Sequence, residues 1–200
     1  KTGLAGINEK FQEMTGVSLT AAGAIAAAGF AFKFSVDQAA EAEVVQAQLN
    51  AVIKSTGGAA GMSAEAVDAL AGSLSDLSGV EDETIKRAGA VMLTFTKVGK
   101  EVFPDATEAA LNMSTALKTD LQSSVIQVGK ALNDPIQGMT ALSRVGVSFT
   151  EQQKEQIKAL QESGDLMGAQ GIILAELNTE FGGAAAAMGS TYTGAANKFQ

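Results

Sequence analysis

The hydrophobic pattern of the first 56 residues predicts a long helix, continuous or broken once, with two different surfaces. Residues 14–32 carry no charged side chain, and alanine and glycine dominate this run. Residues 36–53 are amphipathic instead, because Val45, Leu49 and Val52 recur at the spacing of one helix face. The pattern therefore predicts a hydrophobic and then amphipathic helix over residues 1–56.

Glycine, proline and capping signals divide the remaining chain. The glycine-rich stretch 57–62 predicts a linker, residues 63–183 predict a helical module, and the Ala/Gly-rich residues 184–200 predict a connector. Two capping-box spacings predict helix starts, one of them opening a helix that runs from Asp105 to about residue 132. The residues predicted to cap helices or to form turns are Ser63, Asp105, Asp134, Pro135, Thr150 and Gln153.

Composition favours an all-α fold. Alanine is the best helix former, the sequence has only 2 prolines, and aromatic residues make up 5% of the chain. A β-rich core would require more β-branched and aromatic side chains. We therefore predict several helices of unequal length joined at glycine and proline breaks, with an N-terminal Ala/Gly-rich hydrophobic helix followed by a compact helical module.

The residue types that are absent exclude several kinds of chemistry. The chain has no cysteine and no histidine, which excludes disulfides, Cys/His zinc sites and a Ser-His-Asp triad within it. The acidic run Glu81-Asp82-Glu83 is best explained as a favourable match to a helix dipole. We predict no catalytic residue, no cofactor and no metal site. The net charge of −8 also argues against sequence-specific binding of nucleic acid.

The uncharged run 14–32 has two interpretations. Its length approaches the roughly 20 residues that cross a bilayer, and its small residues allow helices to approach closely. Alanine and glycine contribute little transfer energy, so a helix buried against copies of itself explains the run as well as a membrane segment does. The residues proposed for either role are Gly16, Leu19, Gly23, Ile25, Ala27, Gly29, Phe30 and Phe32.

Three blocks of sequence resemble the prophage tail length tape measure family. They are VMLTFTKVGKEVFPDAT at 91–107, GKALNDPIQGMTALSRVGVSFTEQQKEQIKAL at 129–160, and IILAELNTEFGGAAAA at 172–187. The resemblance extends over roughly residues 62–187. Residues 1–61 share only the family's general habit of an apolar run followed by an amphipathic helix. Lys1 is not an initiator residue, so we expect the chain to be part of a longer or processed protein.

The resemblance implies a structural role in a phage tail. A family member is expected as a homo-oligomer of a few copies, with three the expected number, in the lumen of the virion tail. Its expected partners are the tail tube protein, tail tip or hub proteins, tail assembly chaperones and the host inner membrane. It would occupy the host cytoplasm during assembly and the host envelope after ejection.

Three functions follow for comparison. The first is a structural segment that sets tail length, scaffolds tube assembly and leaves ahead of the DNA. The alternative is a membrane-inserting pore or channel module that uses residues 14–32. The third is an enzyme, since some family members carry wall-cleaving domains elsewhere in the chain. The lack of histidine and cysteine argues against that role here.

Overall fold

A computed structural model describes residues 40–191 of the chain, and every element of regular structure in that range is an α-helix. The prediction of an all-α fold is confirmed. The chain divides into two compact units, Lys1–Val44 and Val45–Gln200. Of the first unit, the structure describes only residues 40–44, which are helical. The second unit contains the helices numbered below.

The second unit begins with the remainder of a helical segment that ends at residue 55. Eight further helices follow within the described residues, and short turns of one to ten residues join them. Their bounds are α1 Ala64–Ser78, α2 Asp82–Met92, α3 Phe103–Leu117, α4 Leu121–Asn133, α5 Pro135–Ser143, α6 Glu151–Glu162, α7 Leu166–Phe181 and α8 Ala184–Gly189.

Side-chain caps set several of these helix starts. The hydroxyl of Ser63 accepts a hydrogen bond of 3.2 Å from the amide of Ala66 at the start of α1. Asp134 likewise accepts from the amide of Gln137, and Pro135 takes the first position of α5. These bonds satisfy amides that have no partner within a helix.

A reciprocal pair of bonds starts α6. The hydroxyl of Thr150 accepts from the amide of Gln153 at 3.2 Å, and the amide of Thr150 donates to the Gln153 side chain at 2.7 Å. This is a complete capping box. It fixes α6 directly after the turn 144–150.

The predicted capping role of Asp105 was wrong. Helix α3 begins at Phe103, two residues earlier, and Val102 occupies the cap position without a side-chain hydrogen bond. Pro104 explains the earlier start, because its fixed backbone angle suits the first helical turn and it needs no amide partner there. Asp105 lies within that first turn, where its negative charge is favourable to the helix dipole.

The single helix predicted to continue to about residue 132 was also wrong. Helix α3 ends at Leu117, and Lys118 adopts a left-handed conformation with φ 53°. The carboxylate of Asp120 then accepts from the amide of Ser123 at 2.8 Å and caps α4. The turn folds α4 back onto α3, and this packing buries Val125 and Val128 completely. Burial of these side chains outweighs the local tendency to continue one helix.

The core extends beyond both ends of the predicted module 63–183. Val45 and Leu49 are buried ahead of the linker. At the other end, Ala185 is buried in α8, which packs against α1 and α3. Residues 184–189 are thus part of the packed unit, although the sequence predicted only a connector from residue 184 onward.

Two buried polar side chains join distant parts of the unit. The side-chain amide of Gln170 donates to the carbonyls of Lys97 and Leu132, at 2.9 Å in both cases. Asn112 on α3 accepts from the amide of Ala185 at 2.9 Å and fixes the start of α8. Because an unpaired buried polar group is costly, these bonds hold the loop 93–102 and α8 in place.

Candidate functional site

The residues predicted to form a membrane or self-association segment lie outside the part of the chain that the structure describes. These residues are Gly16, Leu19, Gly23, Ile25, Ala27, Gly29, Phe30 and Phe32. Within residues 40–191, no helix combines the length and the apolar character that crossing a bilayer requires.

The acidic residues at the start of α2 surround one lysine. The ammonium of Lys86 lies 3.0 Å from a carboxylate oxygen of Asp82 and 3.7 Å from one of Asp68. A hydrogen bond with Asp82, together with burial, raises the pKa of Glu83. The same hydrogen bond lowers the pKa of Asp82 despite its partial burial. Across residues 40–191, no three acidic side chains are positioned to hold a metal ion.

One face of α5 is exposed and has no partner among the described residues. It consists of Gln137, Thr140 and Ala141 on α5 and of Arg144 directly after it, which together follow the spacing of a single helix face. We call these four residues the α5 face. Beside it, α4 and Phe95 complete a groove of about 410 Å³ that also contains Lys130.

Two glycines explain the shape of this region. Gly138 lies so close to α4 that a Cβ atom at its position would overlap the main chain of Ala131. A Cβ at Gly129 would likewise overlap the ring of Phe95, which therefore packs directly against α4. The close approach of α4 and α5 leaves the α5 face outside as a low ridge, in which the short side chains of Thr140 and Ala141 lie between Gln137 and Arg144.

Cations without ion-pair partners accompany the α5 face. Lys130 and Arg144 are both exposed, and neither forms an ion pair with any residue of the described range. The nearby carboxylate of Asp134 is engaged as the cap of α5. In a chain of net charge −8, this is a local exception to the overall acidic balance.

A second groove lies between α3 and α7. Its volume is about 420 Å³, and we call it the α3–α7 groove. Small residues from both helices form its floor, Asp105 and Glu108 lie at one end, and asparagines lie at the other. The full lining is Asp105, Glu108, Ala109, Asn112, Gly171, Leu174, Ala175 and Asn178.

The two carboxylates that line this groove on α3 have no ion-pair partner among residues 40–191, whereas two carboxylates on α7 accept hydrogen bonds. Asp105 and Glu108 are exposed and form no ion pair within residues 40–191. By contrast, Glu176 accepts from the Gln153 side chain, and Glu180 accepts from the amide of Ser148. The charge that is free to meet a partner is therefore at the Asp105 end of the groove.

Sequence reasoning missed the residues that build these surfaces. Lys130 and Arg144 are 14 positions apart in the sequence, and only the turn between α4 and α5 brings them to one groove. The α3–α7 groove joins residues more than 60 positions apart. The one local signal was the spacing of residues 137, 140, 141 and 144, which marks a helix face of small and polar residues.

The fold and these surfaces define a helical packing module that presents grooves and a charged helix face. Comparison with known proteins supplies the family. The sequence matches the prophage tail length tape measure protein family over residues 2–158, and the chain belongs to that family. No curated protein and no solved structure matches the chain.

The matched range differs from the predicted one. The sequence resemblance was strongest over residues 62–187, whereas the family match begins at residue 2 and ends within α6. It therefore includes the uncharged run 14–32 and all residues that line the groove beside α5. The block 172–187, on α7 and α8, lies beyond it. Family membership supports a role in the phage tail and interactions with other tail components.

Proposed function

We propose that this chain is a structural segment of a tail tape measure protein. In this role it contributes to setting tail length, scaffolds assembly of the tail tube, and is ejected ahead of the DNA during infection. The observation that carries the proposal is the family match over residues 2–158. The helical fold supports it, because a helix has a fixed rise per residue and can therefore measure length.

The proposed partners follow from that role. We propose a homo-oligomer of a few copies, three being the expected number, in contact with tail tube protein and with tip or hub proteins. Tail assembly chaperones would bind it in the host cytoplasm before the tube forms. After ejection it would reach the host envelope and the inner membrane.

The length that this segment contributes to the tail depends on whether it is extended or folded inside the tube. Drawn out as one helix, residues 64–189 would span about 190 Å. Folded as described, a unit of about 150 residues has a radius of gyration of about 15 Å and a diameter of about 40 Å. Removal of the unit should therefore shorten the tail by an amount that depends on its state inside the tube.

The experiment is an in-frame deletion of residues 64–189 from the phage-encoded protein, with tail lengths measured by electron microscopy. We expect shortening of about 190 Å if the segment is extended, and of about 40 Å if it is folded. A replacement of equal length by an unrelated alanine-rich helix serves as the control and should restore the length of an extended segment. Tails of unchanged length in the deletion phage would contradict the ruler role.

A second candidate function is a membrane-inserting pore or channel for DNA delivery, which the uncharged run 14–32 favours. The full chain should then release dye from lipid vesicles. Replacement of Ile25 and Phe30 by lysine should abolish release, because a charged side chain in the bilayer centre costs several kcal/mol. Equal release by the lysine variant, or no release by the unchanged chain, would remove this function.

A further inference from the structure

Two surfaces of the unit are complementary in charge. The α5 face and the neighbouring Lys130 present two cations, and the α3–α7 groove presents Asp105 and Glu108. None of these four groups has an ion-pair partner within residues 40–191. Each surface thus carries the charge that the other needs, on one and the same chain.

The two surfaces also agree in shape and length. The α5 face is a low ridge eight residues long, from Gln137 to Arg144, or about 10 Å between its ends. The groove runs over eight residues of α3, from Asp105 to Asn112, which is again about 10 Å between the ends. Packing of a helix ridge into a groove between helices is the usual way in which helices associate.

The floor of the groove permits a close approach. Gly171 and Ala175 lie one turn apart on α7 and are exposed, and a Cβ at Gly171 would meet no heavy atom within 4 Å. Ala109 from α3 completes the floor. On the opposing surface, Thr140 and Ala141 are equally short. Small side chains on both sides allow backbones to come near each other, so that the charges at the rim reach their partners.

We propose that the chain associates with a second copy of itself, head to tail, with the α5 face of one copy in the α3–α7 groove of the next. Arg144 and Lys130 then face Asp105 and Glu108. The inference rests on the proposed function, which requires several copies, and adds the surface that joins them. An interface between two different surfaces leaves one of each free on every pair, so that further copies add in the same way and form a ring where the rotation between copies closes.

Charge reversal tests this pairing directly. Lys130→Glu with Arg144→Glu makes the ridge acidic, and Asp105→Lys with Glu108→Lys makes the groove basic. Each double variant should lose association by about tenfold or more, because like charges then face each other. An equal mixture of the two variants should regain association. The acidic ridge of the first variant then meets the basic groove of the second, and the unchanged basic ridge of the second meets the unchanged acidic groove of the first. Sedimentation velocity of the full 200-residue chain measures the oligomer.

A matched variant controls for the effect of net charge alone. Lys54→Glu with Lys158→Glu reverses two exposed cations that belong to neither surface, changes the net charge by the same amount as the Lys130/Arg144 variant, and should leave association unchanged. Far-UV circular dichroism and thermal unfolding establish that every variant is folded. Association of the unchanged chain should also weaken as salt rises from about 0.05 M to about 0.5 M, because exposed charges are then screened.

Several outcomes would overturn the pairing. One is a chain that remains monomeric at about 100 μM and low salt, a concentration at which a micromolar interaction would be evident. Another is association that both double variants retain, which would place the contact elsewhere, for example in residues 14–32. Loss of tail tube protein binding by a monomeric groove variant would assign the groove to that partner instead. None of these results changes the tail-length measurement, so this inference can fail while the proposed function stands.

Discussion

The contact between α4 and α5 gives a prediction that isolates packing from helix propensity. Gly138 is helical, and a Cβ at its position would overlap the main chain of Ala131. Gly72 is also helical, but a Cβ there meets no heavy atom within 4 Å. Replacement of each glycine by alanine therefore adds the same methyl group to a helix and differs only in what that group meets.

The expected effects have opposite signs. In a free helical position, alanine stabilises by about 0.5–1 kcal/mol relative to glycine. We expect this gain for Gly72→Ala. At Gly138 the overlap is with main-chain atoms, which cannot rotate away as a side-chain end can. Forcing the helices apart costs about 1–3 kcal/mol, which leaves Gly138→Ala less stable by about 1–2 kcal/mol.

Urea unfolding of the full chain, followed by far-UV circular dichroism, measures both free energies of unfolding. The two variants should differ by the cost of the overlap, about 1–3 kcal/mol. For a chain of this size each kcal/mol corresponds to about 2–4 °C in the melting temperature, so thermal unfolding gives an independent value. If Gly138→Ala proves as stable as Gly72→Ala, the reasoning about the α4–α5 contact is refuted.

Three further predictions concern single residues. Lys118→Gly should raise the free energy of unfolding by up to about 1 kcal/mol, because glycine adopts positive φ without the steric cost that lysine bears. A free energy of unfolding in urea that is no higher than that of the unchanged chain would contradict this. Gln170→Leu should lower the free energy of unfolding by about 1–3 kcal/mol, because two carbonyls lose their hydrogen-bond donor. The control Gln156→Leu, on an exposed helix face, should have little effect. Because the pKa of Glu83 is raised by its bond with Asp82 and by burial, the folded chain binds this proton more tightly than the unfolded chain. The resulting stability is present at low pH and decreases as pH rises through the raised value. In Glu83→Gln, the urea midpoint of unfolding should no longer fall as the pH rises through this range. A pH profile equal to that of the unchanged chain would contradict the hydrogen bond between Glu83 and Asp82.

Local chemistry made much of the fold predictable. The fold class followed from alanine content and from the scarcity of proline. Helix starts that depend on a side chain and an amide three residues away, at Ser63 and Thr150, could be read directly from the sequence. The boundaries that were wrong depend on more than that pattern. At Asp105, the proline one position earlier moved the helix start.

Tertiary contacts decided what the sequence left open. The run from Leu117 to Leu121 contains no glycine or proline, so the sequence pattern predicted a continuous helix. Packing of α4 on α3 imposes a turn there instead. Asp120 was the available local signal, as a possible cap three residues before Ser123. The α3–α7 groove joins two helices that are distant in sequence. The groove beside α5 depends on the turn at Asp134 and on the distant Phe95, so no local pattern could predict either groove.

The turn at Lys118 has a geometric consequence. Between Pro104 and Gly129 the chain contains no residue that prevents helix, so rotation of Lys118 into the right-handed region, with release of the Asp120 cap, would join α3 and α4 into one rod of about 46 Å. Folded side by side, the longer of the two measures about 22 Å. The three turn residues 118–120 thus hold back roughly 24 Å of helix length, and the burial of Val125 and Val128 keeps the bend closed.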